Sequence, residues 1–193
     1  MIQVQAWAQA AMAVIEAYHD LDDIDQDCMY PHDTKDIDKL WQYKAWIDCV
    51  QWHMEDEIRR SDLTGEDIVV LKRRIDQSNQ DRTDAVEQLD AMLQAALQPE
   101  VAPQGARRTE TLGWALDRLS ILQLKRYHLR IEAARGSIDT ARMDTMERQH
   151  VLLCEAIDAL VDDLKSGAVV YHLYGQHKLY NDPKTNPALY KDS

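Results

Sequence analysis

An all-α fold, a single-domain helical bundle of five or six helices with an irregular C-terminal arm, is what this chain predicts, on three observations. Proline and glycine are scarce, 5 and 6 in 193 residues, so long segments run without a breaker. Apolar residues recur at helical spacing in several long, separate stretches. No stretch shows the alternating β-branched pattern of a half-buried strand. The length allows one sizeable core and is too short for two ordinary domains with a linker, so residues 1–193 read as one domain.

The first helix is expected over 3–20, with Trp7, Ala10, Ala11, Val14, Ile15 and Tyr18 on its core face. The acidic loop after it, DLDDIDQDCMYPHD, lacks the glycine and the closing glutamate of an EF-hand, so it reads as a solvated loop. The second helix, 36–60, carries one stripe of Leu40, Tyr43, Ile47, Val50, Met54 and Ile58. A flanking stripe reads Trp41, Ala45, Asp48, Trp52, Glu55 and Arg59. Apolar residues on two sides mark a central helix.

Thr64 and Asp67 approximate a capping box at the start of the third helix, 66–97, which should lie antiparallel to the second. At about 100° per residue, Ile68, Leu71, Ile75, Val86, Leu89, Met92, Leu93 and Leu97 share a side with Asn79 and Arg82. Two polar groups therefore fall where core is expected, and a buried guanidinium costs several kcal/mol, of order ~5, unless acceptors or a ligand meet it. The Pro- and Gly-containing stretch 98–108 is the long loop.

A fourth helix spans 111–134. On periodicity, Leu112, Leu116, Leu119 and Leu122 form its core side, and Asp117, Arg118, Ile121, Lys125 and His128 a solvent side on which Asp117 and His128 could enter one cleft. The fifth helix, 140–165, is amphipathic through Met143, Met146, His150, Val151, Leu153, Cys154, Ile157, Leu160, Val161 and Leu164, with Gly167 as its C-cap. The arm, about 168–193, should pack irregularly through Tyr180, Leu189 and Tyr190.

The formal charge of −12 excludes a general nucleic-acid binder, since phosphate attraction needs a basic surface. No segment resembles a membrane span or a signal peptide, so a cytoplasmic protein without membrane contact is expected. Cys28, Cys49 and Cys154 lack metal-ligand spacing and read as free thiols. No nucleophile motif, P-loop or GxGxxG is present.

Three segments can carry chemistry. In WHMEDEIRR (52–60), Glu55 and Arg59 form an i,i+4 pair beside Trp52, either an exposed salt bridge or part of a covered flank. In KRRIDQSNQDRTDAVEQLD (72–90), Asp76, Asn79, Arg82 and Thr83 cluster over two turns and could face Glu55 and Asp56 across the hairpin. Oxygen ligands from two antiparallel helices suit magnesium or manganese, but an ion-pair network fixing helix register is the alternative. In LGWALDRLSILQLKRYH (112–128), Asp117, Arg118 and Lys125 supply one acid and two cations.

Three strings, WHMEDEIR, DRLSIL with Lys125, and YNDPKTNPALY, together with the segment 72–90, resemble domain of unknown function family 4254, a bacterial and phage family. The resemblance would cover the chain from the second helix to Tyr190 and brings no established activity. It implies site roles for His53, Glu55, Asp56 and Arg59, for Asp76, Asn79, Arg82 and Asp84, for Asp117, Arg118, Ser120 and Lys125, and for Asn181, Asp182, Pro183 and Tyr190. Bacterial members encoded beside surface-polysaccharide glycosyltransferases hint at nucleotide-sugar or sugar-phosphate metabolism.

A weaker likeness is to all-α nucleoside triphosphate pyrophosphohydrolases, whose EExxE helix faces an ExxD helix. Here Arg59 stands where the third acid belongs and Asn79 follows Asp76. The expectation that results is an enzyme acting on a phosphorylated nucleotide-like or sugar-phosphate molecule. Glu55, Asp76, Asn79 and Asp117 are its expected catalytic groups, and Glu55, Asp56 and Asp76 the ligands of Mg or Mn. His53, Arg59, Arg82, Arg118, Ser120, Lys125, Asn181 and Asp182 would bind substrate. The alternative is a non-catalytic homo-oligomer or adaptor.

Overall fold

The computed structural model describes residues 3–97, 105–179, 182 and 184–190. Five long helices account for most of it: α1 (Val4–His19), α2 (Ile37–Glu57), α3 (Gly65–Ala96), α4 (Leu112–Ala134) and α5 (Thr140–Ser166), followed by the single turn α6 (Pro187–Tyr190). The all-α bundle is as expected, with each long helix within three residues of its expected ends.

The caps explain that agreement. Asp36 accepts from the amides of Asp38 and Lys39 at 3.0 and 3.2 Å. Thr64 and Asp67 form a reciprocal capping box. Thr111 accepts from Trp114 N at 3.3 Å and Asp139 from Arg142 N at 2.9 Å. Each satisfies amide groups that the first turn of a helix leaves without partners. Gly167 ends α5 in the left-handed region (φ 73°), where a side chain is disfavoured.

The principal core joins all five helices. Trp7 of α1 stacks on Trp41 of α2 at 5.4 Å, and Trp41 Nε1 donates to the Trp7 carbonyl at 2.8 Å. A smaller cluster of Met54, Leu71 and Ile75 closes the α2–α3 hairpin. Helix α4 is central: it packs on α1, α2, α3 and α5, and Asp117, Ser120, Gln123 and Arg126 are buried along with its leucines. The solvent face expected for α4 is therefore corrected in part. Of that side, Arg118 and Lys125 are exposed as expected, whereas Asp117 is buried and Ile121 and His128 are half-buried.

Three further expectations differ. Ile68 is 41% exposed, with Val69 and Val70 beside it, because the first turns of α3 extend past the core. Val151 is likewise exposed. The long loop and the arm contain a parallel pair, β1 (Ala106–Arg108) with β2 (Val169–Tyr171), in register Ala106↔Val169 to Arg108↔Tyr171. Three-residue strands carry too little pattern to be read locally. Gly105 permits the pairing, because a Cβ there would lie 2.2 Å from the Ala168 carbonyl.

Beyond β2 the arm crosses α3. Gln176 N donates to Glu87 Oε1 at 2.6 Å, and Lys178 Nζ donates to Asn79 O and Thr83 Oγ1, both at 2.7 Å. Tyr180 and the side chains of Leu189 and Tyr190 lie outside the described residues. No helix among the described residues is long and apolar enough to cross a membrane. All three cysteines are free thiols.

Candidate functional site

Where α2, α3 and α4 meet, four charged groups share one buried network. Lys44, fully buried, donates to Asp48 Oδ2 at 2.6 Å and sits 2.7 Å from Asp117 Oδ1. Arg82 grips Asp117 with two nitrogens, Nε to Oδ1 at 2.9 Å and Nη2 to Oδ2 at 2.5 Å, and its Nε lies 3.4 Å from Asp48 Oδ1. Ser120 Oγ donates to Asp48 Oδ2. Two carboxylates and two cations cancel in charge, which is the condition for keeping ions out of water.

The two acids are tuned in opposite directions. Burial pushes the Asp48 carboxyl above the usual carboxylate range, and Lys44 only partly restores it. Burial acts on Asp117 in the same sense, but Lys44 and Arg82 outweigh it and hold Asp117 below its ordinary value. Asp48 Oδ1 is buried and accepts no hydrogen bond among the described residues. Asp48 is thus the acid that takes up a proton more readily, and Asp117 the one locked as an anion.

Arg82 is the exposed corner of this network, with 26% of its side chain open to solvent, and three grooves converge on it. The first, about 240 Å³, is lined by Asp48, Gln51, Trp52, Glu55, Asp56, Arg59, Arg82 and Ile121. The second, about 590 Å³, is lined by Arg82, Asp117, Arg118, Ile121, Leu122, Lys125, Gln149 and Leu153. The third, about 320 Å³, holds Asp76, Asn79, Thr83, Trp114, Gln176 and Lys178. The second falls within the roughly 300–1,000 Å³ of small-molecule sites.

Most expected site residues are brought together, though not all in the expected roles. Glu55, Asp56, Arg59, Arg82, Arg118 and Lys125 line the first two grooves. Glu55 meets Arg59 across 3.5 Å, and Arg118 reaches Glu110 at 2.7 Å. Asp117, expected to be catalytic, has both its oxygens held by cations, Oδ1 by Lys44 and Arg82 and Oδ2 by Arg82. Ser120, expected to bind substrate, is buried and donates to Asp48 Oδ2.

Asp76 is corrected as a ligand shared with Glu55 and Asp56. It pairs with Lys72 and lines the third groove, and the three acids form no common ligand cluster among the described residues. Asn79, expected to be catalytic, lines the third groove and links α3 to α2 and to the arm. Its side-chain oxygen accepts from Gln51 at 2.8 Å, and its carbonyl accepts from Thr83 Oγ1 and Lys178.

Asp182 holds the turn before α6 by accepting from Lys184 N at 2.8 Å, and it lines none of the three grooves. Asn181 and Pro183 lie outside the described residues. His53 is half-buried with His19 and His128, away from the groove linings, and His128 joins these rings instead of Asp117.

Sequence reasoning missed Lys44 and the central place of Asp48. A signal was present: Lys44 is one turn from Leu40 and Asp48 and one from Trp41 and Ile47, between the two stripes of α2.

A family model described as a protein of unknown function (DUF4254) matches residues 38–172. Searches of curated proteins and of solved structures give no match. The matched span runs from the second residue of α2 through β2, and contains the whole Lys44–Asp48–Arg82–Asp117 network and the first two grooves. The chain belongs to the DUF4254 family.

Proposed function

We propose that the two grooves flanking Arg82 bind a phosphorylated small molecule, a nucleotide-like compound or a sugar phosphate, and that the protein is an enzyme that hydrolyses or transfers its phosphoanhydride with Mg or Mn. The observation that carries this reading is a division of charge. One groove offers Glu55 and Asp56, and the next, sharing Arg82 and Ile121, offers Arg118 and Lys125. On a chain of net charge −12, a local pair of exposed cations, of which Arg118 is paired with Glu110, is a selective place for phosphate. The acidic lip beside it supplies the oxygen ligands that a hard divalent cation prefers.

The buried network holds the floor of the site. Asp117 fixes the Arg82 guanidinium in one plane, and Lys44 fixes Asp117. Arg82 Nη1 makes no hydrogen bond among the described residues and is the nitrogen left for a phosphate oxygen. Trp52 adds an apolar wall to the acidic groove.

A second reading has its own observation. Because the four charges already satisfy one another, the network also suits a register device in a non-catalytic oligomer, with exposed Ile131, Val151 and Leu152 as the contact surface.

A thermal-shift panel separates the two. Nucleoside di- and triphosphates, nucleotide sugars and sugar phosphates are each tested with and without Mg or Mn. A ligand present at about 100 times its Kd raises stability by about 2.7 kcal/mol, a readily measured rise in Tm. The enzyme reading expects a hit that disappears in the Arg118→Ala/Lys125→Ala variant, whose replaced side chains are exposed and whose helical circular dichroism is expected to match the wild type. A flat panel, together with a Val151→Asp/Leu152→Asp variant that changes oligomer size, establishes the second reading instead.

A further inference from the structure

We propose that His19, His53 and His128 bind one divalent transition-metal ion of the zinc class, with the Asp22 carboxylate as fourth ligand. One ligand nitrogen from each imidazole lies within 4.8 Å of the other two, the only such three-residue set among the described residues. The rings come from three helices, at the last residue of α1, on α2 and on α4. This site is separate from the Arg82 grooves and does not depend on the reading given to them.

The geometry is close to what a metal needs. Nitrogens bound to zinc at about 2.0–2.1 Å in a tetrahedron stand about 3.3 Å apart. His19 Nε2 and His53 Nε2 are already 3.0 Å apart, and a His128 nitrogen lies within 4.8 Å of a ring nitrogen of each.

The protonation pattern points the same way. His19 Nδ1 lies 2.6 Å from the Ile15 carbonyl, which can only accept, so Nδ1 carries the proton and Nε2 presents a lone pair. A ligating histidine makes this outer bond as a rule, since it fixes the tautomer and the ring plane. His128 Nε2 is buried and has no hydrogen-bond partner among the described residues. A buried polar atom left unpaired costs free energy, and a metal ion relieves that cost where no donor or acceptor is in reach.

The surroundings hold the rings ready. Trp52 stacks on His128 at 4.9 Å and 9°, Tyr18 stacks on His53 at 5.2 Å, and Tyr127 lies 4.1 Å from His19. With His19 Nε2 as acceptor, His53 Nε2 is the donor of the 3.0 Å bond between the two rings, so metal binding displaces that proton from His53 Nε2.

Asp22, on the loop after α1, lies outside the 4.8 Å set and close to His53, and would complete the coordination by a movement of its exposed side chain. Its backbone is left-handed (φ 52°) and its amide donates to the Tyr18 carbonyl at 3.0 Å, which turns the chain back over α2. Its Oδ1 stands 3.5 Å from His53 Nε2. Imidazole-rich donor sets take zinc, copper or nickel, whereas magnesium prefers oxygen. Metal here would tie the end of α1 to α2 and α4.

Titration of the untagged, chelator-treated full-length protein with ZnCl2 tests the site, alongside visible spectroscopy with CoCl2. The expected result is one metal per chain, tetrahedral cobalt bands, and a higher Tm when loaded. His53→Gln and His128→Gln should each weaken zinc binding by more than about 100-fold, beyond the 10- to 100-fold that outer-shell changes cost. Asp22→Asn should weaken it less. Absence of binding overturns the proposal, as does binding that survives both histidine substitutions, the result expected if exposed His172 and His177 are the ligands. If a histidine variant loses its helical circular dichroism, the wild-type cobalt spectrum and Asp22→Asn decide: no tetrahedral bands, or no change in Asp22→Asn, overturns it.

Discussion

Lys44 shows how much one side chain decides in this molecule. It is fully buried and is the cation that both Asp48 and Asp117 face. Lys44→Met keeps the length and packing of the stem but leaves two buried carboxylates with Arg82 alone. Breaking a buried ion pair from one side costs about 3–5 kcal/mol, so urea unfolding at pH 7 should show a loss of that size. A loss below about 1 kcal/mol would mean that Arg82 suffices to neutralise the pair. At this scale the sequence was partly legible. Arg82 stood out as a cation on an apolar line, yet its partners could not be named, because Asp117 is 35 residues away and lies on what periodicity marks as the wet side of α4.

Between elements, contacts at helix seams outweigh helix propensity. Gly113 opens α4 against α3, where a Cβ would come within 2.6 Å of Asp90 Cγ and 2.9 Å of the Val86 carbonyl. Asp90 meanwhile accepts from Thr111 Oγ1 and from Gly113 N at 2.6 Å. In an isolated helix Gly→Ala gains about 1 kcal/mol. Here Gly113→Ala should destabilise, with a lower urea midpoint, and a raised midpoint would show that the seam can open without loss.

The α4–α5 seam has a pH signature. Glu147 bonds Arg126 at 2.5 Å and Arg130 at 3.1 Å. The Arg126 bond is the main reason its carboxyl sits below the ordinary 4.5. The unfolded chain therefore binds a proton at Glu147 more readily than the folded one. The stabilisation is complete above about pH 4.5 and is lost as pH falls through the lower folded value. Glu147→Gln should flatten this part of the stability curve between pH 5 and 3, read by thermal melts, and an unchanged slope would contradict the pairing.

For the whole molecule, the central position of α4 predicts cooperativity. It touches four helices, and one core runs through all five. Tryptophan fluorescence, dominated by the α1–α2 residues Trp7, Trp41, Trp46 and Trp52, and far-ultraviolet circular dichroism should therefore unfold at one midpoint. Two separated transitions would show that the α1–α2 pair melts independently of α4 and α5.

The sequence by itself determined the all-α class, the five long helices, the N-cap of α3 and the C-cap of α5, the net acidity and the family. These rest on local signals: a 3.6-residue period, capping side chains within three residues, and motifs read in order along the chain. Only the tertiary structure decided that Asp117 is buried and engaged, that Asp76 stands apart from Glu55 and Asp56, that two three-residue strands pair across α4 and α5, and that His19, His53 and His128 meet. Each of these depends on residues 20 or more positions apart. Burial of a polar group is a property of what covers it, and no local pattern encodes the cover.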